Sequence, residues 1–293
     1  MRIVVTAPTG NIGSKLTDRL LAAGAEVTLI ARHPEKVAGF VARGARVAEG
    51  SLEDEAFVLE ATRGAEALFW LTPPNYQAPD FRAYQRRMGA IAARAIQANR
   101  IGRVVNLSSV GAQLGYGAGP VNGLHDVEQA IGEVATNVTH LRPGAFMENV
   151  LMSLETIKTA SAMFLPVPGN ARTPMVATAD IAEAAAKLLL EPSWSGTRAV
   201  LLYGPAELGY GDVAATLTKV LGKPVAHVQV TPDQARQAML GTGLAADMVD
   251  SLLELYDAFA TGRIVQGLPP DPDLRGTTTF EQFAAAVIKP LVG

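Results

Sequence analysis

The chain has 293 residues, 48% of them hydrophobic and 18% charged, with a formal net charge of −3. That is enough apolar material for a sizeable core, in one large α/β domain or a core with a smaller lobe. No basic run points to nucleic acid, no apolar run reaches membrane-spanning length, and the lack of cysteine excludes disulfides, thiolate catalysis and zinc–thiolate sites.

The four histidines (His33, His125, His140 and His227) are far apart, so no metal site is expected. The first residues enter a strand with no charged-then-apolar leader, which predicts a cytoplasmic protein.

Ile3, Val4 and Val5 form the first predicted strand. Thr6, Ala7, Pro8, Thr9, Gly10, Asn11, Ile12 and Gly13 follow as a turn, and Ile12, Leu16 and Leu20 recur at helical spacing. Strand, glycine turn and helix in that order is the layout of a dinucleotide-binding unit. A pyrophosphate there lies against the free N–H groups of the helix N-terminus. Gly10 lets the backbone approach the phosphates, and Gly13 lets the helix pack close to the strand. Ala7 stands where the pattern usually has its first glycine. The plainer alternative is an ordinary turn.

Residues 26–30 read as the second strand, ending at Ala31, Arg32, His33 and Pro34. Arg32 lies about 20 residues beyond the glycine turn, where an acid would hold the ribose hydroxyls of NAD. A guanidinium there can pair with a 2′-phosphate through two parallel hydrogen bonds, which points to NADP(H). The competing reading is a surface arginine paired with Glu35.

A third strand is expected at 45–48, then Ser51, then a helix from 53 to 62 opened by acids. Ala67–Leu71 is nearly all apolar, as in a parallel strand covered on both faces. Thr72, Pro73, Pro74 and Asn75 make a rigid loop. A long helix, Phe81–Asn99, leads to the fifth strand, Arg103–Leu107, ending at Ser108 and Ser109. Alternating strands and helices predict a doubly wound parallel sheet of Rossmann type. Gly10, Arg32, Thr72 and Ser108 then fall at the carboxyl ends of strands, where such sheets bind ligands.

Residues 110–123 hold five glycines and Pro120. They read as a mobile loop over the site or as a disordered surface excursion. A helix is expected from Leu124 and His125, and a sixth strand at 139–141, leading into Arg142 and Pro143. Beyond Asn149 the pattern is less regular. Residues 175–180 are expected to open an apolar helix running to 190. A strand follows at 199–203, then helices at Tyr210–Leu221, 232–239 and 245–259, and a possible strand at 225–230. A proline-rich loop covers 268–273 and a final helix 280–288. Residues 1–150 are therefore expected to bind the cofactor. Residues 151–293 are expected to form a smaller C-terminal α/β substrate lobe, interleaved with the sheet near 175–205.

Several stretches resemble the NmrA-like group of atypical short-chain dehydrogenases/reductases. They are the turn from Thr6 to Gly13, Arg32, Thr72 to Pro74, Leu141 to Pro143, Phe146 to Asn149, the start at Asp180, Tyr203 to Pro205 and Leu221 to Val225. The resemblance spans nearly the whole chain and implies a cofactor site of Thr6, Ala7, Thr9, Gly10, Asn11, Ile12, Gly13, Arg32, Ser51, Leu71, Thr72, Pro73, Ser108, His125 and Pro143. Ser51 stands where the group often has an Asp near the adenine. The group includes quinone reductases, a triphenylmethane-dye reductase and cofactor-sensing regulators.

Ordinary short-chain dehydrogenases use a Tyr-x-x-x-Lys pair. No tyrosine followed by lysine at that spacing occurs near Leu124, and Tyr116 has no lysine four residues on. His125 and Ser108 are the remaining catalytic candidates, against packing or capping roles. Tyr76, Phe146, Met147 and Tyr210 are candidates to line an apolar pocket, or to be core. The expected function is NADPH-dependent reduction of a quinone-like or other conjugated apolar acceptor. That chemistry needs little acid–base help once cofactor and acceptor are positioned in a dry cleft. The alternative is a non-catalytic NADP(H)-sensing regulator. An epimerase ranks lower, because it leans on the missing pair. A monomer and a homodimer are both compatible with the sequence.

Overall fold

β-Branched and aromatic residues build a sheet buried on both faces. The computed structural model describes residues 1–191 and 193–292. Strand β1 (Arg2–Val5) leads to α1 (Gly13–Ala22), β2 (Glu26–Ala31), α2 (Ala38–Val41), β3 (Arg46–Glu49) and α3 (Glu55–Ala61). Then come β4 (Ala67–Leu71), α4 (Phe81–Asn99), β5 (Arg103–Leu107), α5 (Val121–Gly132) and β6 (Asn137–Pro143). The second half begins with β7 (Ala145–Phe146), α6 (Leu154–Thr159), β8 (Ala162–Leu165), β9 (Thr173–Val176), α7 (Thr178–Leu190) and β10 (Gly196–Tyr203). It continues with β11 (Glu207–Leu208), α8 (Tyr210–Leu221), β12 (Ala226–Gln229), α9 (Pro232–Gly241), α10 (Ala246–Ala260), β13 (Leu274–Arg275), α11 (Phe280–Phe283) and α12 (Lys289–Val292).

Eight parallel strands form the main sheet in the order β13-β10-β6-β5-β4-β1-β2-β3. This is the expected doubly wound α/β arrangement. Strand order reverses between β1 and β4, so a crevice opens outside their carboxyl ends. Phe69 and Trp70 on β4 are fully buried and face opposite sides, each joining a different core cluster. Helices α1 and α7 cover one face; α4 and α5 cover the other, where Met248 of α10 packs over them. Two small sheets, β11-β9-β7 and β12-β8, stand apart from the main sheet.

Four sequence expectations are corrected. Met175 and Val176 belong to β9, and the helix begins only at Thr178, where the Glu148 carboxylate accepts the backbone N–H of Thr178. The sixth strand is longer than 139–141, running Asn137–Pro143. Residues 110–123 are not a surface excursion. Val110, Ala112, Ala118 and Val121 are buried against Leu201, Ala258 and Ile264, and α5 starts at Val121 instead of Leu124. The proline-rich tail runs straight into β13, which closes one edge of the sheet.

Candidate functional site

The turn after β1 has the shape its sequence implies. Ala7 takes a left-handed backbone, φ 50°, and the Gly10 N–H donates to its carbonyl oxygen at 3.2 Å. Helix α1 then starts with no side-chain cap and no acid in its first turn. The N–H groups of Asn11 and Ile12 have no partner among the described residues. An uncapped helix start with free N–H groups is a ready anion cradle. Thr6 is fully buried; its hydroxyl accepts the Leu71 N–H at 2.8 Å, so it locks β1 to β4 beneath the turn.

Arg32 sits at the end of β2, exposed and without an ion-pair partner among the described residues. The alternative pair with Glu35 does not form: Glu35 lies 3.4 Å from His33 Nδ1 instead. Ser51 is half-buried, and its hydroxyl accepts the Glu53 N–H at 3.2 Å. Pro73 is half-buried in the loop after β4, and the Pro143 carbonyl accepts from Val110 N–H.

At the carboxyl ends of β4 and β5 a cavity of about 550 Å³ opens. Ile12, Leu71, Thr72 and Ser108 line its floor, so it adjoins the turn after β1. Phe146, Tyr210, Met248 and Tyr256 also line it. The Thr72 hydroxyl accepts from the Trp70 indole N–H at 3.0 Å. Ser108 is 2% exposed, and its Oγ has no hydrogen-bond partner. Of the four residues read as pocket lining or core, Tyr76, Phe146 and Tyr210 line the cavity, and Met147, 1% exposed, is core.

His125 does not line the cavity. Its Nδ1 lies 2.8 Å from the Ala112 carbonyl; that oxygen can only accept, so Nδ1 carries the proton. The ring thereby ties α5 to the glycine-rich segment.

Helix α10, which sequence reading had not connected with the site, roofs it. The Asp247 carboxylate accepts the Phe81 N–H at 2.8 Å, at the start of α4. Glu254 accepts the N–H of Gly119 at 2.9 Å and the Asn122 amide at 3.1 Å. The helix is thus fastened to both sides of the cavity mouth. Tyr210 and Tyr256 face this space, and neither phenol has a hydrogen-bond partner among the described residues. Burial pushes both phenols up, with Tyr256 adding to the rise at Tyr210, so they stay neutral at neutral pH. A second hollow, about 140 Å³, is lined by Arg2, Glu26 and Arg46 near the amino ends of β1 and β2, away from the switch point.

Solved structures share this architecture. The NADPH complex of Escherichia coli NADPH-dependent quinone oxidoreductase is similar at a TM-score of 0.75 and 22% identity, covering 97% of this chain and 99% of that one. Citrobacter sp. triphenylmethane reductase complexed with NADP(H) is similar at 0.79 and 18% identity, covering 99% and 100%. In sequence, the NAD(P)H azoreductase of Xenophilus azovorans is 29% identical over 286 residues, 97% of each chain. The profile of the NmrA-like family matches residues 1–284, taking in the turn, the crevice and the roofing helix together, and on that match this chain belongs to the NmrA-like family.

Proposed function

We propose that the chain is an NADPH-dependent oxidoreductase that passes hydride to a quinone-like or other conjugated apolar acceptor. One observation carries the reading: the uncapped start of α1 and the unpaired Arg32 share a sheet edge with an apolar cavity, and Ile12 belongs to both. The residues fit the cofactor. Free N–H groups at Asn11 and Ile12 suit a pyrophosphate, Arg32 suits a 2′-phosphate, and the orphaned Ser108 hydroxyl suits a polar group at the inner end. NADPH held there would supply the hydride of a two-electron reduction, with the accompanying proton coming from water.

The protein's own part is positional. The turn and Arg32 fix the dinucleotide along the crevice. Phe146 and Tyr256 offer flat apolar surface to an aromatic acceptor. Helix α10 covers one side of the cavity. No Tyr-Lys pair stands by, and a strongly electrophilic acceptor needs none. The reductase names of the relatives support this reading over a purely sensing role. The test is NADPH oxidation by purified protein across quinones, azo dyes and enones. Multiple turnover is expected with at least one class, and none with any would overturn the reading.

A further inference from the structure

The cavity is notable for what lines it. No lysine, arginine, histidine, aspartate or glutamate is among its lining residues. A charged ligand entering it would lose its hydration shell and meet no counter-ion, which is strongly unfavourable in an apolar interior. Among the polar side chains in the wall, Gln85 is both buried and without an assigned role. Gln85 lies on α4, four residues after Phe81 and three before Met88, on the buried stripe of that helix. It is 4% exposed and its Oε1 has no hydrogen-bond partner. Its amide nitrogen has none among the described residues either.

A buried, unpaired carboxamide is destabilising, yet the neighbouring helix is shaped around it. A Cβ added at Gly123 on α5 would lie 2.0 Å from Gln85 Oε1. Oε1 is therefore packed against α5 at Gly123, and the amide nitrogen is the polar end of Gln85 left for the cavity. Its neighbours Phe81 and Met88 are apolar, so a polar group at this point finds its partner in whatever fills the cavity. The amide N–H donates, so it can meet a carbonyl oxygen, an azo nitrogen or a hydroxyl oxygen of a bound acceptor.

We infer that the cavity selects uncharged conjugated acceptors and that Gln85 orients them through a hydrogen bond. This rests on the reductase reading and narrows its substrate class. It disfavours cationic dyes and sulfonated or phosphorylated substrates.

The experiment pairs each neutral acceptor with a charged analogue: naphthoquinone with its sulfonate, and a neutral azo dye with its sulfonated form. Steady-state NADPH oxidation gives kcat/KM, and fluorescence quenching of the NADPH-loaded protein gives binding. We expect the neutral member to be preferred by roughly tenfold or more in both readouts, because a charge without a counter-ion is costly to bring into an apolar wall. Gln85→Leu should raise the KM and Kd for neutral acceptors by about the same factor. The KM for NADPH should stay unchanged, and the thermal midpoint should not fall, because an unpaired amide is replaced by hydrocarbon. Should Gln85→Leu fail to fold, Gln85→Met, closer in shape, carries the same readouts. Equal binding of neutral and sulfonated members, or unaltered acceptor binding in both variants, overturns the inference. Selective binding without turnover would sustain it and remove the reductase reading; turnover without selectivity would do the reverse.

Discussion

The carbonyl oxygen of Ala7 lies 2.2 Å from where a Cβ on Gly13 would stand. Helix α1 can leave the turn only because residue 13 has no side chain. The obstacle is backbone, so it cannot rotate aside. Gly13→Ala should therefore cost about 1–3 kcal/mol of stability and weaken NADPH binding together. Gly10→Ala is the contrast: its added Cβ meets the same oxygen at 3.5 Å, an ordinary contact. The fold should survive that change while NADPH affinity falls, because the methyl stands where phosphates approach. Thermal melts and NADPH titration of both variants separate the two effects.

Ala7 itself is the departure that the sequence exposed, and its backbone explains how the chain lives with it. The residue keeps the glycine-like conformation at φ 50° instead of reshaping the turn. A left-handed alanine costs roughly 1–2 kcal/mol, and glycine regains part of that as lost chain entropy. Ala7→Gly is expected to stabilise the protein by about 1 kcal/mol or less. NADPH affinity should be unchanged or better. A lower thermal midpoint would show that the turn is not strained.

Arg32 has no ion-pair partner among the described residues, so its removal breaks none of their ion pairs in the free protein. Arg32→Ala should weaken NADPH binding by about 1.5–3 kcal/mol, roughly tenfold or more, and leave NADH binding nearly unaltered. Equal losses for both cofactors would show that Arg32 does not read the 2′-phosphate.

The central sheet was legible because its strands are short β-branched or apolar runs bounded by turn residues. The lobe was harder for physical reasons. Strand β9 runs almost directly into α7, and a buried strand and a buried helix share the same apolar composition. Strand β13 has two residues and no local signal. It is held by the Gly276 N–H donating to the Tyr203 carbonyl and by Asp180 accepting from Thr278, both distant in sequence. The glycines of 110–123 suggested looseness, but the apolar residues between them pack on Ala258 and Ile264, which only the fold brings near. In the site, the turn and Arg32 could be read from spacing. Gln85 could not be valued by type, since glutamine in a helix usually faces water. Its place between Phe81 and Met88 on one stripe was the available sign.

Behind the cavity wall, Arg142 on β6 grips Glu128 on α5 with a two-pronged contact, Nε to Oε1 at 2.8 Å and Nη2 to Oε2. The side chains are 15% and 3% exposed. Removing one partner leaves a buried charge unpaired, so Glu128→Leu should cost about 3–5 kcal/mol. Removing both should cost far less than the sum of the single changes, because the uncompensated charge goes too. A denaturant-based double-mutant cycle with Arg142→Met reads this directly. Additive losses would show that the pair is not coupled.

His140 lies beside that pair and sets a pH dependence. It is 5% exposed, and its Nδ1 stands 3.1 Å from the Asn106 amide nitrogen. The amide N–H donates, so the ring nitrogen accepts and a proton there would break the bond. Burial pushes the His140 pKa below its ordinary 6.5; Arg142 adds to the fall and Glu128 opposes it. In the window from 6.5 downward the unfolded chain therefore binds a proton that the folded chain refuses. Stability is full above that window and declines as pH falls through it, by at most about 1.4 kcal/mol per pH unit from this group. His227, also pushed down by burial, adds in the same direction. Denaturant unfolding at about pH 7 and about pH 5.5 should show the loss, and His140→Gln, which cannot titrate, should show a smaller one. An identical decline in the variant would assign the pH dependence to other groups.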